Sequence, residues 1–227
     1  MNRDIRTDAE VLASWQRNAT PWIAAVRGGE IASRRLATNA AVLDAVLACS
    51  PRNVIDLGCG EGWLALALAR RGVAVTGVDA VPELVEAARE AGLADCRLLT
   101  YEQIAQGALD CRADAVVCNF SLIGSTCVDD LLRAVPALLE PQGTLIVQTL
   151  HPHMACGDEP YVDGWRAGSW AGFSSVFRDA PPWYFRTLES WIALLDASGL
   201  ALRALREPLD PRSGKPASVL FVAQRRG

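Results

Sequence analysis

The chain has 227 residues, 51% of them hydrophobic and 21% charged, with a net charge of −4. That size and balance suit a single domain able to bury about 70% of its unfolded surface, and exclude a disordered chain. No apolar run reaches the roughly 18 residues of a membrane span, the polar start MNRDIRTDAEVLASW is unlike a signal peptide, and no Lys/Arg run exceeds a pair. The expectation is a cytoplasmic protein with neither a membrane nor a nucleic-acid partner. Seven cysteines without a CxxC pair read as reduced thiols filling the core, so no metal is expected.

In chain order, residues 1–50 read as a mostly helical arm broken at Gly28-Gly29, with a helix predicted from Thr38 to Ala48. Residues 51–150 then alternate short β-branched runs with helical stretches. Strands are predicted at Val54–Leu57, Val73–Asp79, Cys96–Leu99, Ala113–Cys118 and Thr144–Thr149. Helices fall between them: Trp63–Arg71, a second from Pro82 to Ala91, and a third from about Val128 to Leu139. Strands this apolar alternating with helices predict a parallel sheet covered on both faces.

Residues 151–186 differ: eight of the chain's fifteen aromatics lie between Tyr161 and Phe185, among Gly and Pro. Such density argues for an ordered, irregular, functional insertion. Residues 187–227 close the chain with a helix (Thr187–Ser198), a strand near Leu200–Arg206 and a last strand Ser218–Ala223. The short link Pro208–Pro216 makes that last strand antiparallel. All four zones are read as one domain.

The sharpest feature is Val54-Ile55-Asp56-Leu57-Gly58-Cys59-Gly60-Glu61-Gly62-Trp63, a strand that ends in a glycine turn and opens a helix. Glycines let a backbone approach a ligand closely, and a helix N-terminus offers free N–H groups to an anion. Asp79 ends the next strand, where an acid bonds a ribose hydroxyl pair in nucleotide-binding α/β folds. A dinucleotide fingerprint would need glycine at position 63, where this chain has Trp63, and no phosphate loop ending in GK[ST] is present.

Asp56–Gly62 resembles motif I of the class I S-adenosylmethionine-dependent methyltransferases, and Gly77-Val78-Asp79 resembles their acidic motif. DAVVCNFSL (Asp114–Leu122) and LLEPQGTLIVQT (Leu138–Thr149) resemble the fourth-strand motif and the helix-turn-strand after it. The resemblance spans about residues 50–150. It implies a Rossmann-like α/β fold whose seven-stranded, mostly parallel sheet has an antiparallel last strand. It also implies S-adenosyl-L-methionine as cofactor. Asp56, Gly58, Cys59 and Gly60 would lie along its methionine part, Asp79 on the ribose hydroxyls, and Ala80 and Val81 beside the adenine. Tyr101 or Glu102 would meet the adenine amine, and Asn119 and Phe120 the methionine end. In quinone-pathway relatives an upstream arginine pairs with the cofactor carboxylate, and Arg34 resembles it, a role suited to bidentate pairing.

The two histidines lie just after the fifth strand, and ligands in open parallel sheets bind outside the C-terminal strand ends. His151 is therefore a candidate general base and substrate contact, with a hydrogen-bonded loop histidine as the competing reading. His151, His153 and Cys156 match no zinc spacing. Trp15, Asn18 and Trp22 share one helix face and read as a lid over the substrate, with Trp170, Phe173, Trp183 and Tyr184 as the opposite wall. These features imply methyl transfer to O or N of a small aromatic or heteroaromatic metabolite by a monomer or homodimer. A nicotinamide-dependent oxidoreductase and a non-catalytic cofactor-binding partner are the alternatives.

Overall fold

The computed structural model describes residues 7–226. Strands β1 (Asn53–Leu57), β2 (Ala74–Asp79), β3 (Asp95–Leu98), β4 (Ala113–Asn119) and β5 (Leu139–Thr149) precede a small hairpin, β6 (Gly164–Arg166) with β7 (Trp183–Phe185). The chain ends on β8 (Leu200–Arg206) and β9 (Val219–Arg225). The main sheet has the order β3-β2-β1-β4-β5-β9-β8. β1 to β5 pair in parallel, and β9 runs antiparallel to both of its neighbours. This is the sheet implied by the resemblance.

Helices α1 (Asp8–Arg27), α2 (Asn39–Leu47), α3 (Trp63–Ala69), α4 (Pro82–Glu90), α5 (Tyr101–Ala105), α6 (Thr126–Leu138), α7 (Pro152–Ala155) and α8 (Leu188–Ala197) surround it. Leu131, Leu132 and Val135 of α6, with Trp191 and Leu195 of α8, pack on one face of the sheet. Val42 and Val46 of α2, with Leu64 and Leu68 of α3, pack on the other. The strands are apolar on both sides because both sides are covered. Helix starts follow local chemistry: Thr7–Glu10 and Thr100–Gln103 form capping boxes, and Pro82 occupies the first turn of α4.

Three departures from the sequence reading have physical causes. The helix expected from Thr38 is preceded by a π-helical turn, Arg34–Thr38. The turn expected at Pro141–Gly143 is absorbed into β5, whose pairing with β4 shifts register between Ala113 and Ala115. The aromatic insertion is also more regular than expected. Its β6–β7 hairpin wraps the Arg166 guanidinium, which lies 3.6 Å from the Phe185 ring centroid and donates to the Cys156 and Pro160 carbonyls.

The seven cysteines form no disulfide, and the Cys59 and Cys96 sulfurs stand 3.8 Å apart. Among the described residues no helix is long and apolar enough to cross a membrane.

α1 lies across the C-terminal end of the sheet. Its first residue, Asp8, accepts hydrogen bonds from Ser125 and Cys127 N–H at the start of α6. Near its end, Arg27 donates to the Ala87 carbonyl of α4. Between these ties Ala19 packs on Val81 and Leu84. The space beneath α1 is the candidate site.

Candidate active site

Gly58 and Gly60 carry positive φ angles of 73° and 59°. Their roles differ. A Cβ on Gly58 would stand 2.3 Å from Ser121 Cβ, so this glycine admits the chain after β4, where Ser121 Oγ donates to the Leu57 carbonyl. A Cβ on Gly60 would meet only Trp22 Nε1, at 3.9 Å, so Gly60 is the glycine whose bare backbone faces the open space. Beside it Asp79 accepts from the Gly60 N–H at 2.8 Å and from the Val81 N–H at 3.0 Å. Each carboxylate oxygen keeps a lone pair for a further donor.

The cavity measures about 530 Å³, within the range of small-molecule sites. Its floor is Gly58, Cys59 and Gly60, with Asp79, Ala80 and Val81 after β2, Tyr101 and Glu102 after β3, and Asn119 and Phe120 after β4. Arg34 enters from the π-turn, and Trp15, Trp22, Trp170 and Phe173 form the cover. Trp15 meets Trp22 and Trp170 edge to face, at centroid distances of 4.9 and 5.7 Å.

Charge is concentrated beneath the glycine turn. Asp56 is 1% exposed, and neither of its carboxylate oxygens has a hydrogen-bond partner. Burial first, then repulsion from Asp79 and Glu61, pushes its pKa up to about 8. Glu61 is buried too, with Oε1 unpartnered, and burial raises its pKa. Burial likewise raises that of Asp79, against the opposing pull of its backbone donors. Arg34 lies 4.9 Å from the Trp63 ring centroid, with Nε donating to Asn39 Oδ1 at 3.3 Å. Burial lowers its pKa while Glu61 and Asp56 hold it up. Glu61 and Asp56 thus face Arg34, with Asp79 close to Asp56.

Of the residues singled out from sequence, five are not in the cavity wall. Asp56 sits under it, within β1. Asn18 is buried and clasps the insertion: its Nδ2 donates to the Arg178 carbonyl at 2.7 Å, and Oδ1 accepts from the Arg178 N–H at 2.9 Å. Ser14, bonded to the Asp179 carbonyl, and the Arg17–Asp179 ion pair extend this clasp. Trp183 packs on Phe185, and Tyr184 stacks near Arg186 and Trp165, inside the hairpin. His151 is buried at the start of α7, with Nε2 2.7 Å from Glu207 Oε1. Its geometry is that of the hydrogen-bonded loop histidine, next to Thr149 and Leu150 of the cavity wall but outside the lining itself.

Sequence reasoning missed Glu61 and Trp63 inside the motif, Ser121 behind Gly58, and Thr149, Leu150 and Cys127 in the wall. Only Glu61 and Trp63 carried a signal, being flanked by the glycine motif itself.

A sequence profile described as "Methyltransferase domain" matches residues 30–205. A ubiquinone biosynthesis O-methyltransferase of Actinobacillus pleuropneumoniae is 36% identical over 108 residues, 44% of this chain and 46% of that protein. One of Xanthomonas campestris is 39% identical over 103 residues, 43% of each. The matches thus span about half the length of these curated relatives. Among solved structures, the 1,6-didemethyltoxoflavin-N1-methyltransferase of Burkholderia thailandensis, with 1,6-didemethyltoxoflavin and S-adenosylhomocysteine bound, covers 100% of this chain and 94% of its own, at TM-score 0.65 and 18% identity. An S-adenosylmethionine-dependent methyltransferase of Mesorhizobium loti covers 82% of this chain and 96% of its own, at TM-score 0.61 and 21% identity.

Proposed function

The chain belongs to the methyltransferase-domain family, and from that premise we propose that it moves a methyl group from S-adenosyl-L-methionine to an oxygen or nitrogen of a small, planar aromatic or heteroaromatic acceptor. One observation carries the reading: a glycine turn, a ribose-competent acid and an aromatic cover from two separate segments bound a single cavity.

The residues present fit this cofactor. Gly60 leaves room for close approach, and Asp79 keeps acceptor capacity for two hydroxyls. Ala80, Val81 and Leu84 offer an apolar edge for a purine, with Trp22 packed against the same cluster. Arg34 supplies the cation for a carboxylate, and the unpartnered acids Asp56 and Glu61 favour a ligand that carries positive charge. When bound, S-adenosyl-L-methionine supplies a methyl group on positively charged sulfur.

The remaining work falls to the chain: hold the acceptor in line and keep water out. Alignment of this kind is worth roughly 7–11 kcal/mol of barrier. Neither histidine stands in the cavity wall, nor does the lone lysine, Lys215. The reading therefore uses no histidine base, and favours an acceptor that presents its own lone pair or anion. The aromatic cover suits a flat acceptor and tolerates a sulfonium beside it. The 1,6-didemethyltoxoflavin bound in the Burkholderia structure is consistent with that class. An oxidoreductase reading is weakened by Trp63, whose ring stands beneath Arg34 where a dinucleotide loop needs glycine.

Calorimetric titration with S-adenosyl-L-methionine, S-adenosylhomocysteine and NAD tests the cofactor. Micromolar binding of the first two with none of NAD is expected. Binding of NAD alone would refute the proposal.

A further inference from the structure

We infer that Gln148 is a positioning residue that turns the Asn119 carboxamide so that its NH2 group faces the cavity, making that corner a seat for the cofactor's carboxylate. The inference rests on the cofactor reading above and extends it to a residue outside the cavity wall.

A carboxamide has one donating end and one accepting end, and which end points where is decided by its neighbours. Here the decision starts at a group with no choice. The Thr38 main-chain carbonyl can only accept, and Gln148 Nε2 lies 3.0 Å from it, so the Gln148 nitrogen must be on that side. The Gln148 oxygen takes a hydrogen bond from Ser218 Oγ at 3.3 Å, which holds the same orientation from the other end. Gln148 is 1% exposed, so no water substitutes for these partners. Its second N–H reaches Asn119 Oδ1 at 2.8 Å. An inverted Asn119 would set NH2 against NH2.

Asn119 Nδ2 is thereby directed away from Gln148. The side chain lines the cavity, and Nδ2 has no partner among the described residues. The backbone reinforces the pairing: Asn119 and Gln148 are register partners of β4 and β5, and the Phe120 N–H donates to the Gln148 carbonyl at 2.7 Å. The corner thus offers donors and rejects an ammonium group.

The carboxylate is the matching group because of where the chain of bonds begins. Thr38 closes the π-turn that carries Arg34, the one Lys or Arg among the described residues of the cavity wall. One bonded network therefore ties the cavity's cation to its free amide donor. A carboxylate has about four lone-pair sites, enough for both.

The test is calorimetric titration of the full chain with S-adenosylhomocysteine and with 5′-methylthioadenosine, which lacks the amino-acid portion. Asn119→Asp should weaken S-adenosylhomocysteine about tenfold or more and leave 5′-methylthioadenosine unchanged. Gln148→Met should weaken S-adenosylhomocysteine several-fold, and the double variant should lose no more than Asn119→Asp alone. Additive losses, or equal losses for both probes, would reduce Gln148 to packing and overturn the inference. Should Gln148→Met fail to fold, side-chain amide NMR of the wild type decides. The Asn119 NH2 signals, identified by their loss in Asn119→Asp, should shift with S-adenosylhomocysteine and not with 5′-methylthioadenosine, and the reverse would overturn it. A wild type that binds neither probe would bring down the cofactor reading, and this inference with it. Normal binding with uncoupled variants would bring down this inference alone.

Discussion

Replacing Asp56 by Asn keeps the side chain's shape and deletes a buried ionisable group that has no hydrogen-bond partner. A carboxyl held near pKa 8 when folded and at the ordinary 3.8 when unfolded binds its proton more tightly in the folded state. Its contribution to stability is complete below the unfolded pKa and is lost as pH rises through the folded one. Between about pH 6 and about pH 9 this linkage amounts to roughly 2.5 kcal/mol. For a domain of this size, that corresponds to a fall of roughly 5–10 °C in Tm. Thermal unfolding followed by circular dichroism should therefore show the wild type losing stability over that range by this much more than Asp56→Asn. The variant should be the more stable protein at the alkaline end. Saturating S-adenosyl-L-methionine, whose ammonium and sulfonium are cationic, should flatten the wild-type curve. Parallel curves for the two ligand-free proteins would refute the argument that an unpartnered carboxylate lies beneath the glycine turn.

Three further outcomes follow from the geometry. Arg34→Lys should weaken S-adenosylhomocysteine by about tenfold, close to the loss in Arg34→Ala, because an ammonium reproduces neither a bidentate grip nor a guanidinium stacked on Trp63; equilibrium dialysis would measure both. Asn18→Ala removes both clasps on Arg178 and leaves its backbone groups unpaired, so it should cost about 2–3 kcal/mol in urea unfolding and raise KM for the acceptor more than it lowers kcat. His151→Ala should leave turnover within about twofold while lowering Tm by a few degrees, and a collapse of kcat in folded protein would return His151 to the role of base.

How much of this was legible from residues alone varied with the range of the interactions. The sheet was legible because a strand covered on both sides must be apolar along its length, as in the run from Ala113 to Cys118. The place of Asp79 in the cavity wall was legible because it depends on strand position, and strand ends follow from composition. His151 was read correctly as standing after β5, but position does not reveal which way a ring turns. Its partner, Glu207, comes from the far side of the β9 hairpin. Asn18 shares a helix face with Trp15 and Trp22, yet the amide is used to hold main chain 160 residues away, which no periodicity encodes. Trp183 and Tyr184 lie outside the cavity lining for another reason: the insertion read as irregular, whereas its β6–β7 hairpin turns their rings toward Arg166 and Arg186. Gln148 carried no signal at all. Its three partners, Thr38, Asn119 and Ser218, come from three separate stretches of sequence.

The buried acids and the clasped cover are two sides of one energetic arrangement. The cover is anchored at Asp8, at Asn18 and at Arg27, over a space lined by Asp79 and Glu61, with Asp56 below. Burial raises the cost of charging each of these carboxyls, so each holds its proton more tightly than usual. A cationic occupant reverses the sign, since each acid then gains a partner in a medium where attraction is strong. The same logic separates substrate from product on the cofactor side. Loss of the methyl group removes the sulfonium charge, and with it part of the attraction to these acids. A pocket rich in unpartnered acid is thus suited to hold the charged donor tightly and its neutral product less so, which serves release after each turnover.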